Sequence, residues 1–440
     1  MKSIKKLPFF IKGIVVVMLA AVCVSVVTVG LRVMEEKQQK PRVIKAVASL
    51  FAGLTDERYE MDSLLDLLQS DRLVCEGKLA VRDIAKEWVE QRYRFLLPYL
   101  KNTSADYRIH RDMEKRQADF QVDAALHGEV SVHVEGYADE EKAMVHIPNL
   151  HESWLAFSPD NVKAQYKSSL LHNILGETLS LPEDDLSEYI FYDMSVLGGE
   201  KKLFGFTWQE GIKLIGELYQ EITVEKTKQK ESVLFDGSYE SCTVYHVTLP
   251  TRQINLFFEE TMQKESGYSL AVKESELPVT ICMDSKKRIV KLELEGTLIA
   301  NGWNIPLELV FYPKGVENPW DSVLTELIIM WEDIRYGLQI VSNYEFLEEG
   351  RILHSSLSLT KPYVMQLFVV DIRFEGKEKV IFDFDIKAPM VSMDGICAVY
   401  QSTESVEMPE EDAVRVFEMN FLEMLRFTNG LNWNFFKKQE

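Results

Sequence analysis

Six of the eight histidines fall between residues 110 and 172. With Ala138–Glu141 as a hairpin turn, His133 stands opposite His146 on one face of a strand pair. Two imidazoles so placed can share a divalent metal, or sense pH through mutual repulsion on protonation. Glu135 lies on the same face, but no third ligand is evident, and two solvated histidines are the plainer reading. A second constellation is Asp383-Phe-Asp385, the D-x-D spacing of metal-dependent glycosyltransferases. A three-residue hairpin at 376–378 pairs Ile372 with Phe382 and Phe374 with Val380, which sets Asp371 opposite Asp383. Opposed carboxylates can raise one pKa for acid–base work. Strand alternation in an acidic chain also yields D-x-D, and no nucleotide-binding βαβ unit surrounds this one. His133, His146, Asp371, Asp383 and Asp385 therefore stand as candidates only. No catalytic, cofactor or metal site is assigned.

No HExxH, GxSxG, Walker loop, GxGxxG or EF-hand spacing occurs, which weighs against a common exported hydrolase. Of the five cysteines, Cys23 lies in an apolar run, while Cys75, Cys242, Cys282 and Cys397 are widely and irregularly spaced. Without a CxxC pair, neither a zinc knuckle nor a thioredoxin-type site is indicated. Free buried thiols are expected ahead of a bridge such as Cys242–Cys282. Trp208, Trp303, Trp320, Trp331 and Phe311 can line an apolar groove between helix and sheet, or simply pack a core.

These residues need elements to hold them. Two short helical stretches, 43–54 and 61–70, precede a long region of period-two patterning. In residues 129–137, Val130, Val132 and Val134 share a face and Ser131, His133 and Glu135 take the other, as in a half-buried antiparallel strand. Ser158-Pro159-Asp160 reads as a helix start, with Val162, Tyr166 and Leu170 on its buried face. Thr207 to Glu210 fits a capping box opening a second helix. The polar run 225–231 reads as an internal boundary. Strands follow: Val290, Leu292 and Leu294 inward in one, and Ile305, Leu307, Leu309 and Phe311 in the next. A helix at roughly 250–265 interrupts this meander. A terminal helix from Glu410, striped by Val414, Phe417, Phe421 and Met424, is expected to close it.

Residues 13–31, GIVVVMLAAVCVSVVTVGL, carry no charge. As a helix they extend roughly 28 Å, close to the bilayer's ~30 Å hydrocarbon core. The preceding tail holds Lys2, Lys5, Lys6 and Lys12 and no acid, which favours a cytoplasmic N-terminus. The apolar run is longer than a cleaved signal's core, and no A-x-A-like site follows it. Residues 1–45 contain nine basic and two acidic residues, leaving 40 basic and 67 acidic ones beyond. Such an acidic body excludes ordinary nucleic-acid binding. The expected organisation is a cytoplasmic tail at 1–12, a transmembrane helix at 13–31 and a stalk at 32–45. Ectodomain halves follow at 46–230 and 231–440. The expected class is α+β: large, curved, half-barrel-like antiparallel sheets partly covered by amphipathic helices.

The stretch YADEEKAMVHIPNLHESWLAFSPDNVKAQYKSSLL (137–171) resembles a segment of uncharacterised, membrane-anchored exported proteins of clostridial-type Gram-positive bacteria. A strand, an I-P turn, another strand and a capped helix recur there in that order. The fold this resemblance implies is similar to the half-barrels of LolA/LppX-type lipoprotein carriers, although this chain has no lipobox. The expected protein is thus single-pass, extracytoplasmic and non-catalytic, binding a lipid-like ligand or an envelope protein without a cofactor. The alternative is an enzyme processing cell-envelope polymer through an atypical carboxylate site.

Overall fold

Period-two alternation runs through most of the sequence, and the described residues form nineteen strands against five short α-helices. The computed structural model describes residues 39–53, 57–59, 67, 70–86, 101–127, 130–175, 221–259, 269–331, 334–348, 350–376, 378–409 and 412–432. Contacts divide the chain into two units, neither continuous in sequence. One takes residues 1–61, 195–347 and 351–367, and the other takes 62–194, 348–350 and 368–440.

The path begins in the first unit with α1 (Gln39–Ala52). It then enters the second for β1 (Arg72–Ile84), β2 (Thr103–Asp112), β3 (Gln117–Leu126), β4 (Val130–Ala138), β5 (Ala143–His146), β6 (Trp154–Phe157), α2 (Val162–Ser168) and α3 (Leu170–Leu175). The next stretch holds β7 (Thr223–Phe235), β8 (Ser238–Pro250), α4 (Thr251–Phe258), β9 (Leu270–Val272), β10 (Glu276–Met283), β11 (Ile289–Ala300) and β12 (Trp303–Pro313). β13 (Ser322–Trp331), β14 (Ile334–Leu347) and β15 (Gly350–Lys361) follow. The last are β16 (Met365–Glu375), β17 (Lys379–Ala388), β18 (Val391–Gln401), β19 (Ala413–Arg415) and α5 (Phe421–Gly430).

In the first unit, hydrogen-bonded neighbours run β7–β8–β10–β11–β12–β13–β14, all antiparallel. β9 continues along β11 beyond the end of β10. Such a sheet has one strongly apolar face, and α1 is part of what covers it. Its Val43, Ala46, Val47 and Leu50 recur every three or four residues, so they share one side of the helix. They join Ile254, Phe257 and Phe258 of α4 and Leu292, Leu294, Leu309 and Leu327 of the sheet in one buried cluster.

The C-terminal end of α1 is held by name. Its last carbonyls have no partner within the helix and must find one elsewhere. Trp320 Nε1 donates to Leu50 O at 2.5 Å, and Asn318 Nδ2 donates to Gly53 O at 2.9 Å. Asn318 is itself fixed by a capping box, its Oδ1 accepting from Trp320 N and its own N–H donating to Asp321 Oδ2. Tyr59 Oη then donates to Asp321 Oδ1 at 2.6 Å. A Cβ at Gly53 would come within 2.6 Å of Asn318 Oδ1, so any larger residue would have to displace that amide from its place at the helix end.

The second unit orders its strands β6–β5–β4–β3–β2–β1–β18–β17–β16, again antiparallel. β19 is added parallel on the free edge of β6. The ring of Phe120 lies over Gly136 on the neighbouring strand, where a Cβ would come within 1.9 Å of it. Asp112, wholly buried, is neutralised by Arg72 Nε at 3.0 Å and accepts the Lys115 N–H at 3.0 Å.

Several expectations change. The fold is β-rich rather than α+β, because the helices are few and short while paired strands carry both units. The proposed transmembrane helix at 13–31 lies outside the described residues, as do the capping box at 207–210 and most of 61–70. Among the described residues no helix is long and apolar enough to cross a membrane. The terminal helix begins at Phe421, not Glu410, because Ala413–Arg415 pairs with Trp154–Ala156 instead. Asn420 caps the helix that remains, Met424 is buried, and Phe421 is 66% exposed. The N-cap position of α2 falls on Asn161, in a left-handed conformation and without a side-chain cap, rather than on Ser158. Val290 leaves the face of Leu292, because a bulge opposite Cys282/Met283 turns it towards Cys242 and Cys282. The run 225–231 lies inside β7, whose register slips between Lys226 and Lys230.

Leu50→Ala should lower the unfolding free energy of the first unit by about 2–5 kcal/mol. Trp320→Phe keeps most of the ring but leaves the Leu50 carbonyl without its donor, and should cost about 1–3 kcal/mol. Urea denaturation curves of the two variants against the wild type measure both.

Candidate functional site

The histidine cluster is built by a register. β4 pairs with β5 so that Glu135 faces His146, Tyr137 faces Met144 and Ala138 faces Ala143. His133 and His146 are therefore not opposite one another, and the expected register is corrected by two residues. The reason is the turn. Asp139 Oδ1 accepts the Glu141 and Lys142 N–H groups at 2.8 and 2.7 Å, which places the turn one residue later than Ala138–Glu141. His133 instead faces Asp123 on β3.

The result is a line of alternating carboxylates and imidazoles. His133 Nδ1 lies 2.6 Å from Asp123 Oδ1, and His133 Nε2 lies 2.7 Å from Glu135 Oε1. The other oxygen of Glu135 is 3.5 Å from His146 Nδ1, and His146 stacks on Trp154 with centroids 5.1 Å apart. Glu135 first, and Asp123 second, hold the His133 imidazole above the usual histidine range. Reciprocally, His133 holds both carboxylates below theirs. Both ring nitrogens of His133 are thus turned to carboxylate oxygens, the arrangement in which an imidazolium donates twice. Among the described residues no group of three or more His, Cys, Asp or Glu side chains is arranged to hold a metal ion.

The carboxylate candidates fall where the hairpin arithmetic put them. Asp371 faces Asp383, Ile372 faces Phe382 and Phe374 faces Val380. Asp385 is one step removed, facing Asp394 on β18. Lys387 Nζ reaches Asp385 at 2.5 Å and Arg82 Nε reaches Asp394 at 2.6 Å, so each of these carboxylates carries its own counter-ion.

The aromatic candidates separate into two groups. Phe311 and Trp320 pack together at 5.3 Å and belong with the clamp on α1. Trp303 and Trp331 lie 5.4 Å apart at one end of the first unit's sheet. Trp303 starts β12 after an Asn301-Gly302 turn with both residues at positive φ. Trp331 ends the adjacent β13. At this end of the ladder Leu307 pairs with Ile329, and Trp331, two residues on, packs against the buried cluster. Trp303 is nonetheless 53% exposed, and Ile334, next along, is 44% exposed. The cluster therefore ends in an open aromatic rim. Trp208 lies outside the described residues.

One further depression, of about 220 Å³, is lined by Glu231, Lys291, Tyr312, Lys314 and Glu326 among others. Its central charges are spent on each other: Lys291 Nζ lies 2.6 Å from Glu231 and 2.5 Å from Glu293. Cys282 Sγ donates to the same Glu231 at 3.3 Å, and burial pushes that thiol up to about 12. Cys75, Cys242, Cys282 and Cys397 are all unbridged. Sequence spacing gave no sign that Cys75 and Cys397 are neighbours, with Sγ atoms 3.1 Å apart, because the pairing of β1 with β18 is nowhere encoded locally.

No protein-family model matches the chain, and no curated protein does. Solved structures that it resembles include a mutant of a Rhodopseudomonas blastica porin, at 7% identity over 75% of this chain and 98% of that one, TM-score 0.23. A triple mutant of the same porin gives 6% identity, the same coverage and TM-score 0.24. Likeness at that level carries no inference about fold or function.

The charge line predicts a pH dependence with a definite sign. The contribution of His133 is complete below the ordinary histidine pKa and is lost as pH rises through its raised value. The contributions of Asp123 and Glu135 are lost on acidification through their lowered values. NMR titration should therefore place the His133 midpoint above an unperturbed histidine, and Glu135→Gln should bring it down more than Asp123→Asn. The stability difference between wild type and His133→Gln should vanish above the raised midpoint.

Proposed function

We propose that this chain is a non-catalytic binding module at the cell envelope, extracytoplasmic in its main body and associated with the membrane through residues 13–31. Its ligand is an apolar, lipid-like molecule or a protein partner presenting one. The observation that carries this reading is the aromatic rim at Trp303 and Trp331. Large side chains at the open end of a buried cluster offer apolar area that costs little to desolvate, and the indole N–H supplies a polar handle for a headgroup or backbone. The N-terminal sequence supports the location: a basic tail, an apolar run of bilayer length, and an acidic remainder that stays soluble. The resemblance of residues 137–171 to exported, membrane-anchored proteins agrees with it.

Native mass spectrometry of the protein extracted from its own membranes should find a co-purifying lipid. The double variant Trp303→Ala, Trp331→Ala should reduce its occupancy about tenfold or more, the effect of losing roughly 1.4 kcal/mol of apolar contact. A bare protein that cleaves envelope polymer would replace this reading with the enzymatic one. For topology, protease added to intact protoplasts should remove the chain beyond about residue 45 and leave a small membrane-bound stub. Full protection of residues 46–440 would reverse the orientation.

A further inference from the structure

Among the described side chains, one reactive arrangement remains unexplained by ligand binding. Cys75 on β1 and Cys397 on β18 point to the same face of the second unit's sheet. The register places Cys75 opposite Val399 and Cys397 opposite Gly77, so the two cysteines are diagonal neighbours across the ladder. Gly77 is what allows their approach. A Cβ there would meet the Ile396 carbonyl oxygen at 1.9 Å, so the two backbones run unusually close beside Cys397. The sulfurs are 3.1 Å apart. That is closer than non-bonded carbon atoms pack, at about 3.5–4.0 Å, and about 1 Å longer than a disulfide bond of ~2.05 Å. It is too close for two thiolates on a tetrahedral metal, whose ~2.3 Å bonds would spread the sulfurs to about 3.8 Å. Both residues are only partly buried, so a small reagent can reach them.

We propose that Cys75 and Cys397 form a redox-active dithiol, whose substrate is a low-molecular-weight or protein disulfide and whose oxidised form bolts β1 to β18. Cys397 is the attacking group. Hydrogen bonds from the Cys75 thiol, and then from the Tyr107 hydroxyl, stabilise its thiolate against the opposing effect of burial and pull its pKa down. The pKa of Cys75 is pushed up, chiefly by that same hydrogen bond to Cys397 and then by burial, so Cys75 holds its proton until the first step is done. In that step the Cys397 thiolate attacks one sulfur of the external disulfide R–S–S–R, forming a Cys397–S–S–R mixed disulfide and expelling R–S⁻. The departing thiolate takes the Cys75 proton. Cys75 then attacks Cys397 Sγ, forms the internal disulfide and expels the second R–S⁻, which is protonated by water. The thiolate–thiol pair loses two electrons and one proton, a second proton comes from water, and the external disulfide becomes two thiols.

The bolt would join residues 322 apart in sequence, so it constrains the unfolded chain over most of its length. Such a crosslink is placed where the strands contributed by the first and last parts of the second unit meet.

Full-length protein in detergent, treated with oxidised glutathione and then alkylated, tests the proposal by peptide mass spectrometry. The expected product links the Cys75 and Cys397 peptides, while Cys242 and Cys282 remain alkylatable after denaturation. The melting temperature should rise by roughly 5–15 °C, and dithiothreitol should reverse the rise. Cys75→Ser should trap glutathione on Cys397 and show no rise, whereas Cys397→Ser should leave Cys75 largely unmodified. The serine variants are near-isosteric, and the wild-type crosslink is read independently of them. If Cys75 and Cys397 both stay alkylatable after oxidation, if Cys242–Cys282 forms instead, or if Cys397→Ser traps glutathione on Cys75 as readily, the assignment is overturned.

Discussion

The first unit depends on one requirement: an extended sheet with an apolar face cannot stand in water uncovered. Helix α1 helps meet it by placing Val43, Ala46, Val47 and Leu50 into the cluster that holds the inward residues of β10 to β13. An isolated helix of fourteen residues is marginal on its own, so docking must supply its stability. The clamp at Trp320 and Asn318 answers the second half of the requirement. It satisfies carbonyls at the helix end that burial would otherwise leave without donors. Apolar matching thus fixes which side of the helix faces the sheet, and two side-chain hydrogen bonds fix where it stops.

The second unit shows how far local patterns reach. The hairpin of β16 and β17 was legible to the residue, because a three-residue connection with Gly376 at positive φ leaves only one register. The hairpin of β4 and β5 departs from the spacing-based register because Asp139 captures two backbone N–H groups and shifts the turn by one residue, which moves every pairing. A small change in turn chemistry thus replaced a His–His pair with a His–carboxylate line. The chemistry follows the register: facing histidines would repel when charged, whereas Asp123, His133 and Glu135 attract.

Helix ends are less legible in the sequence, for a related reason. Residues 410–424 carry both a helical stripe and a short β-compatible run, and sequence alone weighs only the former. The edge of β6 offers backbone partners to Ala413–Arg415, and that non-local offer prevails. The inward alternation of β12, by contrast, needed no knowledge of partners, and Ile305, Leu309 and Phe311 are buried as expected. Trp303 lies on the same alternation as these core residues and yet is exposed, a difference set by its position at a strand end rather than by its type.

The interleaved path of the chain has a consequence for how the protein comes into being. Strand β1 is made early, but its partner β18 lies more than three hundred residues downstream, as the 322-residue separation of Cys75 and Cys397 records. Throughout synthesis of the intervening chain, that side of β1 presents bare N–H and C=O groups to whatever is nearby. Local hairpins such as β2–β3 can form at once, whereas the β1–β18 ladder must wait for the C-terminal strands and then bear a large loop-closure entropy. Assembly of the second unit is therefore a late event, and the period before it is when the nascent chain is most open to mispairing with another copy or to capture by a chaperone.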